Sequence, residues 1–254
     1  MAPLADRIFC RPLPLRRREP EHAFLAAAAR REVRSGPHQI VTYTWHATGP
    51  TVLLMHGWGS YAGRWRVIGA ALHSAGYRVV ALDAPAHGDT GGHASSLPEF
   101  AAALAAVAAL EEPVHAVVGH SLGASAIPVA MQFNGLRVPR AVLISPTANP
   151  VGFADQLQRY LWWTDAVQAR LIARLERRLG FGWRDLSIPT LAAARTEAAL
   201  LLHDADDTDI PHADGAAIAA AWRGCRFETT RGLGHREIMR TPDVANRIIA
   251  FLRQ

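Results

Sequence analysis

A Gly-x-Ser-x-Gly motif follows a run typical of a buried strand and precedes a helical run. It comprises Gly119, His120, Ser121, Leu122 and Gly123, with Val117-Val118 before it and the Ala-rich stretch 124–133 after it. Between a strand and a helix, this motif forms a tight turn that holds the serine hydroxyl out above the sheet. The pattern predicts that Ser121 is a nucleophile. It also predicts that the free N–H of Leu122, at the start of the helix, helps to bind an oxyanion.

A serine nucleophile needs a base that removes its proton. His235 lies in Gly232-Leu233-Gly234-His235, after the last predicted strand and before the last predicted helix. Sites in open parallel sheets form at the carboxyl ends of the strands, so we expect this position to bring His235 to the same sheet edge as Ser121. His56 and His87 lie in loops at the same edge, and we predict that they make structural hydrogen bonds instead.

An imidazole base needs an acid that fixes its tautomer. The loop after the predicted strand 141–144 holds no carboxylate, whereas the next strand ends in a stretch with four: Asp204, Asp206, Asp207 and Asp209. Position alone leaves all four as candidates. The cluster is also a candidate cation site, but it lacks the twelve-residue loop with Gly and a final Glu that binds calcium, and no metal is predicted.

The composition is that of a globular protein with a full apolar core. Half of the 254 residues are hydrophobic and 19% are charged. The formal net charge is +5 and every basic residue is Arg, but these are spread along the chain without a nucleic-acid-binding motif, so no nucleic-acid partner is predicted.

Only Cys10 and Cys225 occur, which excludes a disulfide framework. With no signal peptide and no apolar run of bilayer length, we expect a soluble, cytoplasmic protein without a membrane partner. The sequence does not predict an oligomeric state.

Apolar runs alternate with helical patterns over most of the chain. Strands are predicted at 51–55, 78–82, 114–118, 141–144, 200–202 and 226–230, and helices at 64–75, 96–110, 124–133, 212–222 and 242–252. This alternation predicts an α/β fold with a mostly parallel central sheet and helices on both faces. Upstream, residues 39–45 alternate in polarity and predict a half-exposed strand, and the Ala-rich residues 21–33 predict a helix.

The alternation breaks between residues 149 and 189. Helices are predicted there at 155–163 and 165–179, and the segment holds three of the seven Trp residues: Trp162, Trp163 and Trp183. We interpret it as a helical cap inserted over the sheet. The predicted organisation is an N-terminal extension and helix (1–37), a core in two parts (38–148 and 190–254) and the cap insertion (149–189).

Several motifs together resemble those of the α/β-hydrolase fold superfamily. The order Ser121, Asp, His235 is the order of that family. His56-Gly57-Trp58 resembles its oxyanion loop, and residues 83–88 resemble its Asp-x-Pro-Gly-His-Gly loop, with Ala86 where the family usually has Gly. Residues 203–211 resemble its His-Gly-x-x-Asp-x-x-x-Pro stretch, with Asp204 in place of Gly. In this stretch the Asp after the two variable residues is catalytic, which implies Asp207.

The resemblance covers residues 38–254 and implies a serine hydrolase of the esterase-like branch, with a carboxylesterase as the leading hypothesis. It assigns the catalytic roles to Ser121, His235 and Asp207, and the oxyanion hole to the backbone N–H groups of Trp58 and Leu122. No cofactor or metal is implied, and the expected partner is a small-molecule ester or related acyl substrate.

The aromatic cap predicts an apolar substrate pocket, lined by Trp58, Trp162 and Trp163. The same triad leaves open thioesterase, lactonase, aminopeptidase and carbon–carbon hydrolase activities. A hydrolase-fold binding or signalling protein with little turnover is a further alternative.

Overall fold

The computed structural model describes residues 10–13, 17–150, 158, 162–179, 182 and 186–254. Eight strands form one sheet at its centre. The strands are β1 (Ala29–Ser35), β2 (His38–Trp45), β3 (Thr51–Met55), β4 (Arg78–Leu82), β5 (Val114–His120), β6 (Arg140–Ile144), β7 (Ala198–Asp204) and β8 (Cys225–Thr230). Their order across the sheet is β1-β2-β4-β3-β5-β6-β7-β8. β1 and β2 pair antiparallel to each other, and β2 antiparallel to β4. Every other neighbouring pair is parallel, as predicted.

Helices cover both faces of this sheet. The described α-helices are α1 (Glu19–Ala26), α2 (Arg66–Ser74), α3 (Leu97–Leu110), α4 (Leu122–Phe133), α5 (Asp165–Leu179), α6 (Ile188–Ala192), α7 (His212–Ala221), α8 (Gly234–Glu237) and α9 (Pro242–Leu252). No described helix is long and apolar enough to cross a bilayer.

Two apolar cores result, one on each face. Along β3, Leu53 and Met55 belong to the core that includes α3 and α4, whereas Val52 and Leu54 belong to the core that includes α2 and α9. Successive side chains of a strand point to opposite faces, so a strand covered on both sides must be apolar throughout. This explains why the continuous apolar runs of the sequence located the central strands well.

The parallel strands end at one edge of the sheet. Met55 of β3 is paired with Gly119 of β5, His120 with Ile144 of β6, and Ile144 in turn with Leu202 of β7. The loops that follow these strands therefore lie side by side, and they carry the predicted site residues.

The helix predicted over residues 21–33 is correct only as far as Ala26. β1 occupies Ala29–Ser35 and pairs with β2 from Ala29↔Thr44 to Ser35↔His38. Gly36, with φ +54°, supplies the positive φ that a tight hairpin turn needs. Only Val33 of β1 is buried, so this edge strand carries no apolar alternation that sequence analysis could detect.

The prediction that residues 39–45 form a half-exposed strand is wrong about the exposure. Residues 40–45 are all buried, because both faces of β2 are covered. Val41, Tyr43 and Trp45 lie in the core that includes α2 and α9, together with Leu25 of α1, whereas Ile40 lies in the core on the other face. The Phe24 and Trp45 rings stack with centroids 4.1 Å apart, and Trp45 Nε1 donates to the Phe24 carbonyl oxygen at 3.3 Å.

The predicted cap falls partly on described residues. The helix predicted at 165–179 is confirmed as α5, whose Leu171 and Leu175 are fully buried. Most of the helix predicted at 155–163, together with Trp183, lies outside the described residues. The division into core and cap stays a prediction.

Candidate active site

Ser121 occupies a strained turn between β5 and α4. Its φ of +54° and ψ of −123° are unusual for a residue with a side chain, and its N–H donates to the Ile144 carbonyl oxygen at 2.8 Å. The glycines on either side are required by close packing. A Cβ on Gly119 would lie 2.6 Å from the Ala124 nitrogen, and one on Gly123 would lie 2.3 Å from the carbonyl oxygens of Met55 and His56.

The loop after β3 lies against this turn. A Cβ on Gly57 would be 2.9 Å from the Cβ of Ser121, so the peptide that leads into Trp58 passes directly beside the serine. Leu122 is the first residue of α4, where N–H groups have no partner within the helix. Among the described residues, neither Trp58 N–H nor Leu122 N–H has a hydrogen-bond acceptor. Both can therefore donate to an oxyanion.

Two neutral histidines hold the loop in place, as predicted. His56 Nε2 accepts from Ala84 N–H at 3.0 Å, which leaves Nδ1 to donate to the Gly57 carbonyl oxygen at 2.7 Å. His87 Nε2 accepts from Gly59 N–H at 3.0 Å. Burial lowers the pKa of His56 to about 3 and that of His87 to about 4, so each ring keeps a lone pair for the loop.

His235 and Asp207 form a hydrogen-bonded pair at the same edge. His235 Nδ1 lies 2.8 Å from Asp207 Oδ2, and the Asp207 side chain is fully buried. Asp207 Oδ1 accepts from the N–H groups of Asp209 and Ile210, both at 2.9 Å. Burial alone would raise the pKa of Asp207, but hydrogen bonds from His203, His235 and the Ile210 N–H hold it well below its usual range. The carboxylate is therefore ionised and aimed at the imidazole.

The other three aspartates of this stretch have structural contacts. Asp204 accepts from Thr230 Oγ1 at 2.7 Å, Asp206 accepts from Gly232 N–H at 2.8 Å, and Asp209 pairs with Arg236 at 3.3 Å. Of the four, the structure brings Asp207 to His235. No three His, Cys, Asp or Glu side chains within the described ranges are grouped so that they could hold a metal ion.

His120 connects the segments that carry Ser121 and His235, the predicted nucleophile and base. His120 Nε2 is 2.8 Å from the carbonyl oxygen of His235. Ser121 and His235 are both described, and their side chains are not hydrogen-bonded to each other. Catalytic hydrogen bonds are often long in the absence of substrate and shorten in the complex.

Comparison with known proteins identifies the family of this chain. The alpha/beta hydrolase family matches residues 52–247. The chain belongs to this family. A non-heme haloperoxidase from Rhodococcus erythropolis is 26% identical to this chain, over 74% of this chain and 86% of that protein.

Solved structures share the fold. An esterase from Exiguobacterium antarcticum superposes with a TM-score of 0.69 at 14% identity, covering 88% of the hydrolase and 99% of the esterase. A bromoperoxidase from Bacillus anthracis gives a TM-score of 0.67 at 16% identity, covering 89% and 100% of the two chains.

The structure separates the three tryptophans that were predicted to line a substrate pocket. Trp58 and Trp163 both pack against the core that includes α3 and α4. Trp163 Nε1 donates to Gln168 Oε1 at 2.9 Å, which fixes the indole. Trp162, with φ +55°, is 91% exposed and faces solvent instead.

Sequence reasoning missed two histidines that contact the predicted catalytic residues. His120 lies inside the serine motif, at a position that the motif leaves variable. His203, fully buried, places its Nε2 3.4 Å from Asp207 Oδ2 and 3.2 Å from the Ile210 carbonyl oxygen. A histidine in an otherwise apolar buried run is the available signal, because such a ring must find hydrogen-bond partners.

Proposed function

We propose that the protein is a serine hydrolase of the carboxylesterase type, which cleaves esters through an acyl-enzyme. The observation that supports this most directly is the 2.8 Å hydrogen bond between His235 Nδ1 and the buried Asp207 carboxylate. It fixes the tautomer that leaves His235 Nε2 free to take a proton. The strained Ser121 at the same sheet edge supplies the nucleophile.

Each residue has a defined step. Ser121 Oγ attacks the acyl carbon while His235 Nε2 takes its proton, and the negative Asp207 stabilises the resulting imidazolium. The N–H groups of Trp58 and Leu122 bind the oxyanion of the tetrahedral intermediate. His235 then protonates the departing alcohol. A water molecule, deprotonated by His235, releases the acid and restores Ser121.

The apolar surroundings favour an ester with an apolar group. Trp58, Leu122 and Trp163 pack against one continuous apolar core, so a substrate between the cap and the serine meets aromatic and aliphatic side chains. Such burial contributes about 25 cal/mol per Å² of apolar surface, which binds a longer acyl chain more tightly.

Hydrolysis of p-nitrophenyl esters of graded acyl length tests this function. We expect turnover by the wild type and a loss of at least about 10⁴-fold in Ser121→Ala. Ser145→Ala is a matched control, because Ser145 also follows a strand, has φ +46° and donates its N–H to the next strand at 2.8 Å. Wild-type turnover in Ser121→Ala, or an equal loss in Ser145→Ala, contradicts the mechanism.

Labelling with a fluorophosphonate separates the alternatives. Labelling of Ser121 without ester turnover indicates a hydrolase of another bond, to be assayed on thioesters, lactones, amides and carbon–carbon substrates. Absence of labelling in the folded protein indicates a binding or signalling protein. The haloperoxidase relative motivates one further assay, peroxide-dependent halide oxidation, with the same two serine variants.

A further inference from the structure

We propose that His120 is a positioning residue that sets the distance between the nucleophile Ser121 and the base His235. This inference rests on the proposed function, since it assigns a role to a side chain within that site. His120 is the last residue of β5 and is covalently joined to Ser121.

The first observation is the direct contact with the base. His120 Nε2 donates to the main-chain carbonyl oxygen of His235 at 2.8 Å, and the two imidazole centroids are 4.7 Å apart. His235 lies in α8, a helix of four residues that begins at Gly234. A short element of this kind has few hydrogen bonds of its own. The bond from His120 therefore holds the base to the strand that carries the nucleophile.

The second observation is the contact with the oxyanion loop. A Cβ on Gly57 would lie 3.3 Å from His120 Nδ1, so the other side of the ring rests against the loop that leads to Trp58. The imidazole thus fills the space between the oxyanion loop and α8. One rigid ring sets the spacing of nucleophile, base and oxyanion donor.

The charges around His120 fit this role. The ionisable groups that face it are His235, Asp207, Arg236 and His56. Burial and, to a smaller extent, the nearby His235 lower the pKa of His120 to about 3. The ring is therefore neutral and donates through Nε2. When His235 becomes an imidazolium during the reaction, the neutral ring adds no second positive charge 4.7 Å away.

The chain provides a matched control on the same strand. His115 Nε2 is hydrogen-bonded to the Leu252 carbonyl oxygen at 3.0 Å, at the start of β5 rather than at its end. His115→Phe and His120→Phe therefore each remove one imidazole–carbonyl hydrogen bond from β5. Only the second bond touches the base.

Ester hydrolysis and melting temperature are measured for both variants and for His120→Gln, whose amide N–H can donate from about the position of Nε2. We expect His120→Phe to lower kcat about 10- to 100-fold with little change in KM, because small misplacements of catalytic groups are costly. We expect the Gln variant to recover most of this loss, and His115→Phe to keep the wild-type kcat. The Tm values of the two Phe variants should be similar. If His120→Phe does not fold, His120→Asn, which is too short to reach His235, replaces it.

A His120→Phe variant with the kcat of His115→Phe overturns the inference, and so does a failure of Gln to restore activity that Phe has lost. The rate of fluorophosphonate labelling of Ser121 is measured in parallel. If the wild type is labelled but hydrolyses no ester, the esterase proposal fails. The labelling rates of the same variants then still decide the role of His120.

Discussion

At the scale of the residue, the surroundings of Asp207 determine what His235 can do. The carboxylate is buried, accepts two backbone N–H bonds and points Oδ2 at His235 Nδ1. We predict that Asp207→Asn lowers kcat by about 10⁴-fold, because a carboxamide NH₂ group favours the wrong imidazole tautomer and carries no charge. Ester hydrolysis by the purified variant, with circular dichroism to verify folding, measures this effect.

Asp209→Asn is the matched control for that substitution. Asp209 comes from the same acidic stretch, but its side chain is partly exposed and pairs with Arg236 at 3.3 Å. A surface ion pair of this kind contributes about 0 to 1 kcal/mol. We expect near-wild-type kcat and stability from this variant. A loss as large as that of Asp207→Asn would refute the assignment of the acid.

Single residues also show how far the sequence could predict the candidate site. Ser121 and His235 followed from a short motif and from chain order. Asp207 did not, since four aspartates share one loop and only a family resemblance selected among them. His120 and His203 were missed, because their roles depend on which carbonyl or carboxylate each ring reaches across the sheet. Such contacts between distant parts of the chain leave no local pattern.

At the scale of the element, the sequence predicted best where burial on both faces imposes a simple pattern. β3, β4 and α9 begin and end at the predicted residues. β1 was misread as helix, because charged residues cover most of an edge strand and only Val33 is buried. Gly36-Pro37, a turn signal directly after it, would have corrected the prediction.

The predicted cap leads to an element-scale prediction about specificity. Trp163, two residues before α5, packs against the same apolar core as Trp58, and Gln168 holds its indole. We predict that Trp163→Ala weakens the preference for long acyl chains and raises KM for them several-fold. Even a single missing methylene contact in a hydrophobic pocket costs about 1 to 3 kcal/mol. The KM series over acyl length measures this change.

Trp162→Ala is the adjacent control. Its indole is 91% exposed, so its removal should leave the acyl-length profile unchanged. If Trp162→Ala shifts the profile as much as Trp163→Ala does, the predicted pocket does not lie on the Trp163 side of the cap.

At the scale of the whole molecule, the buried histidines couple folding to pH. Burial lowers the pKa values of His56, His87 and His120 from 6.5 to about 3, 4 and 3. Between these values and 6.5, the unfolded chain binds protons that the folded chain does not, so stability falls as the pH falls. Burial raises the pKa of Asp83 from 3.8 to about 6. Between these two values the folded chain binds a proton that the unfolded chain does not, so Asp83 alone would make stability rise as the pH falls. Three groups against one give a net loss of stability in acid.

We predict that the free energy of unfolding decreases between about pH 7 and about pH 5, by up to roughly 1.4 kcal/mol per pH unit for each histidine. Urea unfolding followed by circular dichroism at a series of pH values measures the slope. His87→Gln should reduce this slope by the contribution of about one proton. The Gln carbonyl can still accept from Gly59 N–H, but it does not titrate. A free energy of unfolding that is constant over this range, or a slope that His87→Gln leaves unchanged, would show that these loops do not require neutral imidazoles.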